Sequence, residues 1–116
     1  MNPAERDAGY LWDMLQAARE TRELTAGLTL EMLLSDLRTR RALERTLELI
    51  GEAAGRVSES AWRKHMDIPW IAITGQRNVI AHRYAAIDYH LLFTTVTRDL
   101  PGLIASLERI VDDFER

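Results

Sequence analysis

One stretch of this 116-residue chain concentrates side chains able to act on a phosphate: Arg77, Asn78, His82, Arg83 and Tyr84 fall within eight residues. Together they supply two permanent cations, an amide, a titratable imidazole and a phenol. An imidazole exchanges its proton near neutral pH, and a guanidinium holds phosphate oxygens in a planar fork, so the combination suits phosphate chemistry. On a helix turning about 100° per residue, Asn78 and His82 share one face, and Arg77, Ala81 and Tyr84 share a neighbouring one. Val79 and Ile80 then fall on the sides left for a core. Arg77 and His82 are five residues apart, which separates their directions by about 140°. Either the length of arginine or a second copy of the chain must bring them to one point.

Other catalytic signatures are missing from the sequence. There is no glycine-rich phosphate loop, no paired-histidine zinc motif and no acidic calcium loop, and His65, His82 and His90 lack metal-site spacing. No metal and no cofactor is therefore expected. The absence of cysteine excludes disulfides and thiolate sites and suits a reducing compartment, so the cytoplasm is the expected location. A formal net charge of -3 argues against the broad basic surface of a general nucleic-acid binder, and any contact with RNA must rest on a local arginine cluster. By composition alone His82 reads as an ordinary helix histidine and Tyr84 as an amphipathic packing residue.

The elements that must position this segment are helical. Asn2-Pro3 is a cap followed by a first helical residue, and Leu11, Leu15 and Ala18 recur at helical spacing until Gly27 provides a stop. Thr29 caps a short turn through Leu33, and Ser35 or Asp36 opens a long helix striped by Leu43, Leu47, Ile50, Ala54 and Val57. Ala61 to Met66 is expected to form one turn, and Asp67-Ile68-Pro69 starts the helix that carries the polar segment, Tyr84 included. Beyond Asp88 a second long stripe follows through Leu92, Val96, Leu103, Leu107, Ile110 and Phe114, with Pro101 expected to kink it. No strand-type alternation, repeat or linker interrupts the chain. The expectation is one all-α domain over residues 1–116, an antiparallel bundle of four main helices plus short helical turns. The charged N-terminus and the lack of any run of ~18 apolar residues predict neither signal peptide nor membrane anchor. Glu48 and Glu52 read as a solvated or ion-paired face, and Arg38, Arg40, Arg41 and Arg45 as a wet face, with guidance of RNA or of an acidic partner as the alternative.

The spacing Arg77, four residues, His82, one residue, Tyr84 resembles the hallmark of the HepT-type toxins of the HEPN superfamily. The resemblance extends to Ile68-Pro69-Trp70, Ile73, Gly75, Asn78 and Asp88 around the motif, to Leu47-Glu48-Leu49-Ile50-Gly51-Glu52-Ala53-Ala54 in the long helix, and to Leu100-Pro101. It covers the chain from about Asp7 to Phe114, with two blocks in the right order. Arg83 departs from the small residue common at that place and adds a cation beside the motif. The resemblance implies a HEPN-like bundle and a metal-independent endoribonuclease toxin that acts as a homodimer, with its two Arg-His motifs facing across a cleft. It implies catalytic roles for Arg77 and His82, with Asn78 orienting the imidazole or holding a phosphate, and Arg83 is expected to bind substrate RNA. It further implies a cognate minimal nucleotidyltransferase antitoxin that neutralises the toxin by attaching AMP to Tyr84. The alternative is a catalytically silent binding or regulatory subunit of such a nucleotidyltransferase, which would not need an intact histidine at this spacing.

Overall fold

A computed structural model describes residues 2–115, and among them there are helices and turns but no strand. Helix α1 (Pro3–Thr25) starts with a capping box: Asn2 Oδ1 accepts from the Glu5 amide at 2.9 Å while the Glu5 carboxylate accepts from the Asn2 amide at 3.4 Å. It ends before Gly27, whose φ of +73° is a left-handed conformation that a residue without Cβ adopts freely. Thr29 caps the one-turn α2 (Leu30–Ser35), its hydroxyl accepting from the Met32 amide at 3.1 Å. Asp36, rather than Ser35, opens α3 (Leu37–Arg56) by accepting from the Arg38 amide at 3.0 Å. Ser58 caps α4 (Glu59–Lys64). Helix α5 (Trp70–His82) has Pro69 at the cap position, one residue before its expected place inside the helix.

A 3-10 turn (Tyr84–Ala86) leads to α6 (Tyr89–Glu115), whose first turn is capped by Asp88 accepting from the Leu91 amide at 3.1 Å. Helix α6 continues through Pro101, which is exposed. Four long helices and two single-turn helices thus make up an all-α bundle, as the spacing predicts.

Burial follows the stripes. Leu11, Met14, Leu15 and Ala18 of α1 meet Leu43, Leu47, Ile50 and Ala54 of α3, each large side chain contributing ~1.5 to 3 kcal/mol on leaving water. On α6 the buried set is Leu92, Val96, Leu100, Ile104, Leu107, Ile110 and Val111. Leu103 is half-buried and Phe114 exposed, because the stripe turns with the helix and Leu100 and Ile104 take the inward positions. Helix α6 packs on α1, α1 on α3, and α3 on α5, so α3 is the common support of the core and of the polar segment.

Two contacts fix the approach to α5. Asp7, buried in α1, accepts from the Ser58 amide at 2.8 Å and its hydroxyl at 2.6 Å, which ties the α4 cap to the first helix. Trp62 and Trp70 stack with centroids 5.4 Å apart, and their indole N–H groups donate to the carbonyls of Ala54 and His65. The corner before α5 is thereby anchored to α3. Among the described residues no helix is long and apolar enough to cross a membrane.

Candidate active site

Helix α5 meets α3 at Gly51. A Cβ there would lie 2.2 Å from Arg77 Cβ and 2.8 Å from its Cγ, so the stem of Arg77 occupies the space that any other residue would fill. Past that crossing the arginine runs along α3, where its Nη2 lies 3.8 Å from Glu52 Oε1. Arg45 approaches the same oxygen at 3.6 Å and Glu48 at 3.9 Å, making a short row of alternating charges.

The other end of the guanidinium faces the motif. Arg77 Nη1 donates to Asn78 Oδ1 at 3.3 Å and stands 3.5 Å from His82 Nε2, a contact that becomes a hydrogen bond when that nitrogen is unprotonated. The angular separation of Arg77 and His82 is therefore closed within one chain by arginine's length, and a second copy is not needed for this convergence. Asn78 and His82 are exposed, Val79 is half-buried and Ile80 is buried, which matches the division of faces that helical spacing predicts. An open cleft of about 550 Å³ lies beside Arg77 and Asn78, floored by Gly51, Glu52 and Gly55, with Arg56 adding another cation. His82 stands outside that lining. The apolar groove of about 380 Å³ between α5 and α6, floored by Leu47 and Ile50, contains none of the motif residues.

Tyr84 departs from expectation. Helix α5 ends at His82, and Arg83 caps it with φ of -126° and ψ of 46°, its amide donating to Val79 O at 2.9 Å. That backbone turn takes Tyr84 off the helix, so it does not continue the face of Arg77. Instead its ring lies under the Arg41 guanidinium of α3, 4.6 Å from Cζ to the ring centroid. Arg41 is fixed in turn by Glu44, whose oxygens accept from its Nη1 at 2.9 and 3.2 Å, and the Tyr89 hydroxyl donates to Glu44 at 2.5 Å. Burial, and then the hydrogen bond to this carboxylate, push the Tyr89 phenol above its ordinary pKa. Arg40 donates to the carbonyls of Leu33 and Leu34 at 3.3 and 2.6 Å. The basic run of α3 is thus largely engaged in structure, while Arg83 is exposed beside His82.

Helical spacing was sufficient to group Arg77, Asn78 and His82, but not to find Glu52 or Arg41. Both belong to another helix, and their place beside the motif depends on the register of α3 against α5. The one local signal was Gly51, a residue whose missing side chain permits the close approach.

The sequence model of the family described as "Ribonuclease HepT-like" matches residues 14–110. Among curated proteins, "Probable ribonuclease HepT" of Thermococcus cleftensis is 34% identical over 101 residues, spanning 87% of this chain and 92% of that one. "Putative RNase MJ1380" of Methanocaldococcus jannaschii is 32% identical over 106 residues, spanning 90% and 97% respectively. No solved structure matches the chain significantly. With a family match from the middle of α1 into the last turns of α6 and relatives aligned along nearly their full length, the chain belongs to the ribonuclease HepT-like family.

Proposed function

We propose that this protein is a metal-independent endoribonuclease toxin, a single domain over residues 1–116, in which Arg77, His82 and Asn78 cleave RNA. The observation that carries the reading is the 3.5 Å approach of Arg77 Nη1 to His82 Nε2 in a family of ribonucleases. In the reaction the His82 imidazole takes the proton of a ribose 2′-hydroxyl, and the freed oxygen bonds to the adjacent phosphorus. Arg77 stabilises the charge that grows on the phosphate oxygens. The bond to the 5′-oxygen breaks, a second imidazole protonates that oxygen, and a cyclic 2′,3′-phosphate remains. Asn78, bonded to the same guanidinium, keeps its fork turned toward the imidazole. Arg83 holds a neighbouring phosphate.

The second imidazole comes from another copy of the chain, since His65 and His90 lie outside the motif. The homodimer contact includes α5, whose Ile71 is 76% exposed. Pairing two Arg77, Arg83 and His82 sets around one groove makes a local basic strip on an acidic protein. A cognate minimal nucleotidyltransferase in the same cytoplasm serves as antitoxin and attaches AMP to Tyr84, which is exposed two residues beyond His82. A phosphodiester there adds negative charge and bulk beside the arginines that hold RNA.

The test is cleavage of an RNA oligonucleotide and of the same oligonucleotide with 2′-deoxyribose at the cut site, alongside light scattering at micromolar concentration. Cleavage confined to the ribose substrate by a dimer is expected. Cutting of the deoxyribose substrate would overturn the chemistry, and an active monomer would overturn the two-chain site.

A further inference from the structure

Tyr84 and Tyr89 stand five residues apart around the same turn, yet their hydroxyls are in opposite situations. The Tyr89 hydroxyl is occupied: it donates to Glu44 Oε2 at 2.5 Å and accepts from Arg41 Nη1 at 3.4 Å. Tyr84 is 46% exposed, and what defines its place is the Arg41 guanidinium across one face of its ring.

A surface arginine ordinarily samples many rotamers, and ordering one costs entropy. Here the ordering is built into α3. Both oxygens of Glu44 grip Arg41 Nη1, the Glu44 side chain is only 5% exposed, and Tyr89 holds the carboxylate from the other side. All of these bonds use Nη1, which leaves the Nε and Nη2 donors of the fork for a further acceptor.

We propose that Arg41 is a positioning residue for nucleotidyl transfer to Tyr84: locked by the Glu44–Tyr89 pair, it holds the phenol ring for the incoming nucleotide and then pairs with the phosphate left on the phenolic oxygen. The inference rests on the reading of Tyr84 as the AMP acceptor. In the transfer the Tyr84 oxygen bonds to the α-phosphorus of ATP, the bond from that phosphorus toward the β-phosphate breaks, pyrophosphate leaves, and the phenolic proton passes to solvent. The cation over the ring steadies the nucleophile before the bond forms, and charge-assisted hydrogen bonds hold the product afterwards. The same cluster accounts for selectivity between the two tyrosines, because the oxygen of Tyr89 is turned into Glu44 and serves as part of the anchor.

The experiment follows AMP incorporation into the full-length protein by intact mass, with the cognate nucleotidyltransferase and ATP, for wild type, Arg41→Gln, Arg41→Lys and Tyr84→Phe. RNA cleavage and thermal melting are measured on the unmodified proteins. Arg41→Gln is expected to slow incorporation at least tenfold through kcat, with cleavage within twofold of wild type and melting lowered because the buried Glu44 carboxylate loses its cation, and Arg41→Lys is expected to recover most of the rate. Incorporation into Arg41→Gln at the wild-type rate overturns the inference and leaves the Tyr84 reading standing. A lysine variant as slow as the glutamine variant also overturns it, by removing charge from the explanation, as does a parallel loss of melting temperature and cleavage, which marks a structural role. A wild-type protein that gains no AMP, or gains it equally as Tyr84→Phe, overturns the Tyr84 reading itself.

Discussion

Helix α3 carries two arginine–carboxylate clusters, and they differ in how tightly they are made. Toward its N-terminal end, Arg41 and Tyr89 bond to the buried Glu44 carboxylate at 2.5 to 3.2 Å and to each other at 3.4 Å. Toward its C-terminal end, neighbours among Arg45, Glu48, Glu52, Arg77, Asn78 and His82 stand 3.3 to 3.9 Å apart in partial exposure. Short bonds around a buried charge fix a shape, because breaking them strands a desolvated carboxylate. Long contacts at a surface are worth little individually and exchange readily for another anion. The first cluster is suited to holding Tyr84, and the second to releasing Arg77 onto a phosphate.

That contrast is broken most severely at Arg77. Arg77→Ala is expected to lower RNA cleavage ~100-fold or more, the usual loss when a group stabilising transition-state charge is removed. Its melting temperature should stay near wild type, since the ion pair to Glu52 is long. Steady-state cleavage rates and calorimetry on one preparation check both halves. Gly51→Ala should affect stability and activity together: a methyl group cannot fit against Arg77, α5 must shift, and overpacking of this kind costs ~1 to 3 kcal/mol. Denaturant unfolding measures that cost, and a variant of wild-type stability would contradict the close approach.

The two carboxylates give the sharper comparison. Glu44→Gln should lower stability by ~1 to 3 kcal/mol, as expected when a buried partner of Tyr89 and Arg41 is weakened, with cleavage changed less than twofold in assays of unmodified protein. Glu52→Gln should do the reverse, with less than ~1 kcal/mol lost from a part-exposed pair and cleavage reduced about tenfold as Arg77 loses its rear support. Equal stability losses in the two variants would erase the distinction between the clusters.

How much of this was legible in the sequence depends on distance along the chain. The caps at Asn2, Thr29 and Asp36 and the stripes of α1 and α3 are local, set by residues within one or two turns, and they were readable. The grouping of Arg77, Asn78 and His82 is equally local. The C-cap at Arg83 has no glycine to mark it, so helical spacing alone carries Tyr84 on along the helix. Glu52 and Arg41 were read only as parts of a charged face. What sets them beside the motif is the packing of α3 on α5 and the turn that follows, and neither leaves a periodic trace.

The central claim, that the loose cluster around His82 cleaves RNA without a metal, is tested most directly by identifying the ends of the cleaved RNA with excess chelator present, for wild type and His82→Ala. Wild-type protein should give cyclic 2′,3′-phosphate and 5′-hydroxyl ends at an undiminished rate, and His82→Ala should give none above background while keeping its melting temperature. Cleavage that stops with chelator, or that persists in His82→Ala, would contradict the account.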